Sequence, residues 1–588
     1  MKARAGTPSV LFLAAVLGAL PAVAAAPKNP DTLVYLARSD DLGIDPARVG
    51  DSYSRHLAAA VYETLISIKP GTREEFIPRL STAVPSPRNG LVSPDGKTWR
   101  FPIRAGVRFQ DGTIMTVEDA RFSILRRFVA TGSDGLPDEL LRVVLGMDPE
   151  PEAPPSAADI LRKAEAAVAV EGGDLVFHLA KPSSSFLAIL AADGFILSKA
   201  WCAARGDWDG TPAGLSKAAG PGASRALTQS AMGTGAFRLE RWDRAARQIL
   251  FTRHDGHWRG PARLKHVVVK AVPEVSTRVL MLRTGDADVI AASIVEEPLV
   301  RGLPGVKVFD GLRQPNRNPL LFFNFRVEPS GDTDLGSGRL DGEGIPPDFF
   351  SDKDVRLGFA HALDSARYVR EVLRGRGRAA SGFIPPGLPG YSERGLEFKH
   401  DRRKAAAHLK KAFGGKLWEK GFKFTVLVNA GSSWRPALVD ILRRELAAID
   451  PKFRVETREV DWSTFLDRAG RRRIPLYVQG VWEPAGDPLL YARALLHSRG
   501  RMALRMRYSN PEADRLIEAA EAAPAEPERA ALLDKLQRLA REDAVFVPVA
   551  EPRGDVLRVQ RDWVKGYRFS PYFPGAPETS DYYELWKE

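Results

Sequence analysis

The chain has 588 residues, too many for one ordinary core, so two or three domains are expected. It is 44% hydrophobic and 27% charged, a globular composition, and no apolar run beyond the N-terminus is long enough to span a bilayer, which excludes an integral membrane protein of the helical kind. The net charge of +12 raises nucleic acid, an anionic membrane surface or acidic ligands as partners. The densest basic patches, Arg374-Gly-Arg376-Gly-Arg378 and Arg471-Arg472-Arg473, lack aromatics spaced for base stacking, so they read as solvated faces and no nucleic acid is expected.

In chain order, an export signal comes first. Lys2 and Arg4 give a positive start, Val10 to Leu20 an apolar run of 11 residues, and Ala22-Val23-Ala24 a small-residue cleavage site, which predicts a signal peptide over 1–24. Its removal leaves a net charge of +10. The single cysteine, Cys202, lies far from that signal, so neither an intramolecular disulfide nor a lipid anchor is expected. These features predict a soluble periplasmic protein.

A helix is expected near Ser54–Leu65, with Leu57, Val61 and Leu65 on one stripe. Strands are predicted at Thr32–Ala37, Trp99–Ile103 and Leu175–Leu179. In "RAGVRFQDGTIMTVEDARFSILRR" (104–127), Val107 and Phe109 alternate with polar residues as in a half-buried strand, Asp111-Gly112 is a turn pair, and Thr116 with Asp119 forms a capping box before an apolar run. Further strands are expected at Phe237–Trp242 with Gln248–Thr252, then at His266–Val272, Leu320–Phe325, Phe422–Val428, Tyr477–Val481 and Ala544–Val549. The clearest helix reads over 352–375, where Val355, Phe359, Leu363, Ala366, Val369 and Leu373 share a face and Gly375 ends it; another covers 434–450. Pro/Gly/Ser-rich breaks fall at 146–159, 206–226, 328–347 and 521–528. Alternating strands and helices between them indicate mixed α/β layers.

Catalytic signatures are weak. "GLVSPDGKT" (90–98) has five residues between its glycines where a phosphate-binding loop needs four, and a strand follows; it reads as a turn. "GTG" at 233–235 lacks the third glycine of a dinucleotide fingerprint. His254 and His257 stand three apart, but around Gly256 they belong to a loop, so no metal site is expected. No zinc-protease HExxH, no Gly-x-Ser-x-Gly elbow and no Ser-x-x-Lys pair occurs. A two-carboxylate hydrolase is compatible with the many acids, though no pair stands out. Asp111 reads as a turn residue.

The segments "IDPARVGDSYSRHLAAAVYETLISI" (44–68), "SPDGKTWRFPIRAGVRFQDGTIMTVEDARFSI" (93–124), "MGTGAFRLERW…RHDGHWRG" (232–260), "LMLRTGDADVI" (280–290), "LLFFNF" (320–325), "DVRLGFAHALD" (354–364), "GFIPP" (382–386) and "YSNPEADRLI" (508–517) follow one another in a familiar order. This order resembles the bacterial extracellular solute-binding proteins of family 5, the periplasmic peptide/nickel-type binding proteins of ABC transporters. The resemblance implies an α/β, two-lobed periplasmic binding protein fold (type II, cluster C), with an appended domain and a hinge. Lobe I would comprise 25–52 with 190–310 and 548–588; the appended domain 53–189; lobe II 311–547. Function would be capture of a peptide-like or other small solute by a monomer, with no cofactor and no chemistry on the ligand, and delivery to a membrane permease. The alternative from another class is a secreted hydrolase acting on a peptide or oligosaccharide.

The resemblance also implies a cleft. Its wall would include Asp51 and Tyr53 in the loop after the opening Asp-Pro, Trp462 in "DWSTFLDR" and Trp482 in "VQGVWEPAGDP". Peptide binders of the family place an aspartate three residues after that second tryptophan to receive the peptide's ammonium, where this chain has Ala485. Glu483 is the nearest acid that could take over that role.

Overall fold

The structure is a computed structural model and describes residues 26–588 apart from 39–42, 50, 71, 73–74, 134–137, 149–154, 220–222, 224, 313–315, 330–333, 394, 484–485, 524–525, 555 and 571–580. The expected signal peptide at 1–24 lies outside the described residues. A seven-stranded sheet collects distant parts of the chain in the order Val306–Leu312, Val556–Arg561, Val289–Ser293, Thr32–Ala37, His266–Ala271, Gln248–Arg253, Phe237–Asp243. Thr32–Ala37 pairs parallel with both neighbours, whereas Val556–Arg561 runs antiparallel between two strands of the middle segment. A central strand buried on both faces reads as a continuous apolar run, as "TLVYLA" does.

A three-stranded sheet, Thr98–Pro102, Asp174–His178 and Val168–Glu171, lies beside it and packs with the helix Val117–Ser133. One buried cluster runs from Leu33 and Val267 in the large sheet to Phe101, Leu125 and Phe177 here, so this region shares its core with the large sheet. Residues 316–550, with Ile294 joining from outside, hold two further clusters. There, Asn316–Phe323 lies between Leu476–Trp482 and Phe546–Pro548, and Phe422–Asn429 pairs parallel with Phe453–Val460 across the helix Trp434–Ile449. A parallel pair needs such a crossover, and the helix supplies it. By strand pairing, Val306–Leu312 belongs to the large sheet and Ala550–Pro552 lies beside Gly377–Ala379.

Two expected elements differ. Residues 107–110 form no ladder: a tight loop closes at once, Phe109 N–H bonding the Thr113 carbonyl and Met115 N–H the Val107 carbonyl, with one isolated bridge between Arg108 and Ile114. Val107 and Phe109 are nevertheless buried, which is what the alternation recorded. The helix over 352–375 breaks after Ala362: Leu363 is extended, and the Asp364 carboxylate accepts the Arg367 N–H and starts a new turn that continues as a π-helix over Tyr368–Val372. An aspartate inside a helical pattern offers the backbone a competing hydrogen bond, and here it prevails.

The motifs that looked catalytic are walls. The Thr116 hydroxyl accepts the Asp119 N–H while the Asp119 carboxylate accepts the Thr116 N–H, the expected capping box. Asp111 is exposed and accepts the Thr113 N–H and hydroxyl, with Gly112 at φ +88°. The Gly233-Thr234-Gly235 run presses against a helix end, where a Cβ on Gly233 would lie 2.2 Å from the Val61 carbonyl oxygen. Gln110, which the sequence did not single out, ties the same place together: its amide donates to the Val61, Gly235 and Phe237 carbonyls.

Candidate functional site

Between the two lobes lies a cleft of about 1050 Å³, just above the ~300–1,000 Å³ common for small-molecule sites. Its first wall starts from the loop before the helix Ser52–Val61. Arg126, fully buried, holds that loop: its guanidinium is bidentate to Asp45 at 2.7 and 2.9 Å and also meets Asp207 at 2.8 Å. Burial alone would raise the Asp45 carboxyl, but the Arg126 charge and hydrogen bonds hold it below the usual carboxylate range. Asp51 then caps the helix, its Oδ1 accepting the N–H groups of Tyr53 (3.0 Å) and Ser54 (3.2 Å), while its buried Oδ2 has no hydrogen-bond partner among the described residues. Tyr53 is half-buried and faces the same cavity.

The second wall is aromatic. Trp462 opens the helix Trp462–Gly470 and stacks on Phe465 at 5.3 Å; Trp482 ends the strand Leu476–Trp482. Trp434, which sequence reading missed, opens the helix Trp434–Ile449 and lines the cavity with them. Arg435 sits between Trp434 and Trp462, its guanidinium 4.4 and 5.2 Å from the ring centroids. It donates to the Val478 carbonyl at 3.0 Å and the Asn429 amide oxygen at 2.5 Å. Burial, helped by the Arg38 charge, pushes Arg435 down to about 10. Its only sequence signal was position: an arginine at a helix start, where a carboxylate is usual.

Glu483 lines the cleft but is already paired. Arg501 donates to its Oε1 at 2.6 Å and to the Trp482 carbonyl at 3.0 Å, and the Glu483 N–H bonds the Tyr491 hydroxyl at 3.2 Å. Burial pushes the Glu483 carboxyl above its usual range, against the pull of Arg501. A ligand ammonium at Glu483 would have to share it with that guanidinium. Ala485 lies outside the described residues. The other carboxylates of the wall are held similarly: Asp138 by Arg127 (2.6 Å), Asp193 by Arg55 (3.0 Å), Glu139 by Arg142 (2.8 Å) and Asp467 by Arg471 (2.7 Å). The five expected residues, Asp51, Tyr53, Trp462, Trp482 and Glu483, all line this one cavity.

The lobes also touch outside the cavity. The Ser293 and Ser433 hydroxyls are 3.2 Å apart, the Ser185 hydroxyl donates to Asp487 at 2.9 Å, and Arg493 pairs with Asp148. His254 and His257 form no metal pair with each other: His257 meets Glu63 at 3.4 Å, and the same carboxylate takes the Trp258 indole and the Thr234 hydroxyl. Among the described residues, Asp364, His400 and Glu445 are the group close enough to hold a cation, but Glu445 accepts from both Arg402 at 2.6 Å and His400 at 2.9 Å, so its charge is met within the protein.

The model for the bacterial extracellular solute-binding proteins, family 5 Middle, matches residues 75–503. Di/tripeptide-binding protein 2 of Pseudomonas aeruginosa (strain UCBPP-PA14) is 26% identical, over 96% of this chain and 97% of its own. Heme-binding protein A of Haemophilus influenzae is 24% identical, over 92% and 90%. The periplasmic binding protein DppA from Helicobacter pylori, solved in complex with peptide STSA, superposes with a TM-score of 0.73 at 23% identity, covering 95% of this chain and 98% of that one. This places the fold among type II periplasmic binding proteins, mixed in helix and sheet.

Proposed function

We propose that this chain, which belongs to the bacterial extracellular solute-binding proteins of family 5, is the solute-capturing component of an ABC importer and that its cargo is peptide-like. Family and relatives are binding proteins rather than enzymes. No described helix is long and apolar enough to cross a membrane. The observation that carries the reading is the large cleft, walled by Asp51 and Tyr53 from one side and by three tryptophans from the other. A ligand touching both walls binds the closed form better than the open one and shifts the balance toward closure. The finer parts of the reading are a periplasmic monomer released from its leader after residue 24, with 25–52, 190–310 and 548–588 in one lobe, 53–189 appended to it, 311–547 in the other, and the five named side chains in contact with cargo.

The test is recovery of cargo. The protein is purified from the periplasm, the bound solute released and identified by mass spectrometry, and the same solute titrated back by calorimetry. A peptide-like molecule returned unchanged, with saturable binding and a smaller radius of gyration in solution scattering, is the expected result. A solute that is cleaved on incubation, or a scattering profile unchanged at saturation, overturns the reading.

A further inference from the structure

The charges that face the cleft are unevenly matched. Its carboxylates are held by arginines of the protein or, for Asp51, by a helix start, where one oxygen remains open to a single donor. Among the described residues, the guanidiniums of Arg435 and Arg505 meet no carboxylate. Arg435, wedged between Trp434 and Trp462, bonds among the described residues only the neutral oxygens of Val478 and Asn429. Arg505, in the short helix Arg501–Met506, makes no hydrogen bond or ion pair among the described residues, although it lines the same cavity. They stand on different helices of the wall, Arg435 at the start of Trp434–Ile449 beside the tryptophans and Arg505 in Arg501–Met506.

A guanidinium enclosed without an anion is costly, and its planar fork suits an acidic group offered from outside. The indole Nε1 atoms of Trp462 and Trp482 add two buried donors that find no acceptor among the described residues. We infer that the captured solute is a net anion, with at least two separated acidic groups received by Arg435 and Arg505 and at most one amino group. The inference rests on the cleft being the capture site and deepens the peptide-like reading into an acidic peptide-like class.

Calorimetry on the ligand-stripped mature protein tests this with three probes: tri-alanine, tri-glutamate and heptanedioate, a dicarboxylate without a peptide bond. Tri-glutamate is expected to bind at least tenfold tighter than tri-alanine. Arg435→Gln and Arg505→Gln are each expected to cut that ratio at least threefold, with Arg435→Lys keeping more of it than the glutamine. Tri-alanine binding as tightly as tri-glutamate overturns the inference and leaves the peptide-like reading standing. Heptanedioate binding with neither tripeptide bound supports the inference and overturns the peptide-like reading. A glutamine variant that weakens both tripeptides equally shows a merely structural arginine and overturns the assignment, as does no binding of either acidic probe.

Discussion

The guanidinium of Arg55, on the helix that opens the first wall, lies 5.6 Å from the ring centroid of Trp482, at the end of the strand that forms the second. Arg55 is itself steered by Asp193 at 3.0 Å, so the tryptophan meets an oriented cation across the cleft. A cation over an indole contributes ~0.5–2 kcal/mol. Trp482→Ala is therefore expected to weaken cargo binding at least tenfold by removing both the ring and this cross-cleft contact. Calorimetry with the recovered cargo checks it, and unchanged affinity places Trp482 outside the site.

Glu483→Gln separates two roles. If the carboxylate receives a ligand ammonium, the change weakens binding by ~2–5 kcal/mol. With Arg501 as its partner, the expected result is instead a stability loss of ~1–3 kcal/mol and tri-glutamate affinity no weaker than in the wild type, since a guanidinium of the wall is released. Urea unfolding and calorimetry on the same preparation read the two effects apart.

Arg126 meets two carboxylates that are 4% and 1% exposed, over sequence separations of 81 residues each. Arg126→Met leaves Asp207 buried without that cation and Asp45 with Arg48 alone, at 3.9 Å, and breaking such a group costs ~3–5 kcal/mol. The same variant should loosen the loop that carries Asp51, so cargo affinity is expected to fall with stability. A urea midpoint within error of the wild type refutes this account.

Acid should weaken the fold before the carboxylates titrate. Burial, with the Arg558 charge, lowers His56 to about 3 from its ordinary 6.5. The unfolded chain then binds a proton that the fold excludes, so this contribution is complete above pH 6.5 and is lost as pH falls toward 3, at up to ~1.4 kcal/mol per pH unit. Asp45 and Glu63, held below the carboxylate range, add their own loss below ~4. Unfolding free energies measured from pH 7 to 4 should slope downward, and His56→Gln should flatten the slope. Parallel slopes in the two proteins exclude His56 as the source.

Asp111→Asn should cost under ~1 kcal/mol and leave cargo binding intact, because its exposed carboxylate serves the Thr113 N–H and hydroxyl of its own turn. Gly112→Ala should cost more, about 1 kcal/mol or above, since the position is at φ +88° although the space around it is open. Equal effects of the two changes would mean that the turn tolerates a side chain there.

Local chemistry was legible in the sequence wherever a few adjacent residues settle it. The Thr116–Asp119 box, the Asp111-Gly112 turn, the strand Thr32–Ala37 and the helix Trp434–Ile449 need only propensity, capping and periodicity. The resemblance supplied the order of the walls and the residues Asp51, Tyr53, Trp462, Trp482 and Glu483. Local reading failed where a competing hydrogen bond was equally local, as at Asp364, and where burial came without a ladder, as at Val107 and Phe109. Tertiary structure alone decided what faces what. Arg501 reaches Glu483 from 18 residues away, Arg126 reaches Asp45 from 81, and Arg435 meets Trp462 only because a crossover helix and a separate helix start at the same edge. A charge has the same letter whether solvated or enclosed. Which arginine keeps a carboxylate and which does not is fixed only when distant elements bury them together, because the cost of an unpaired charge arises from that burial.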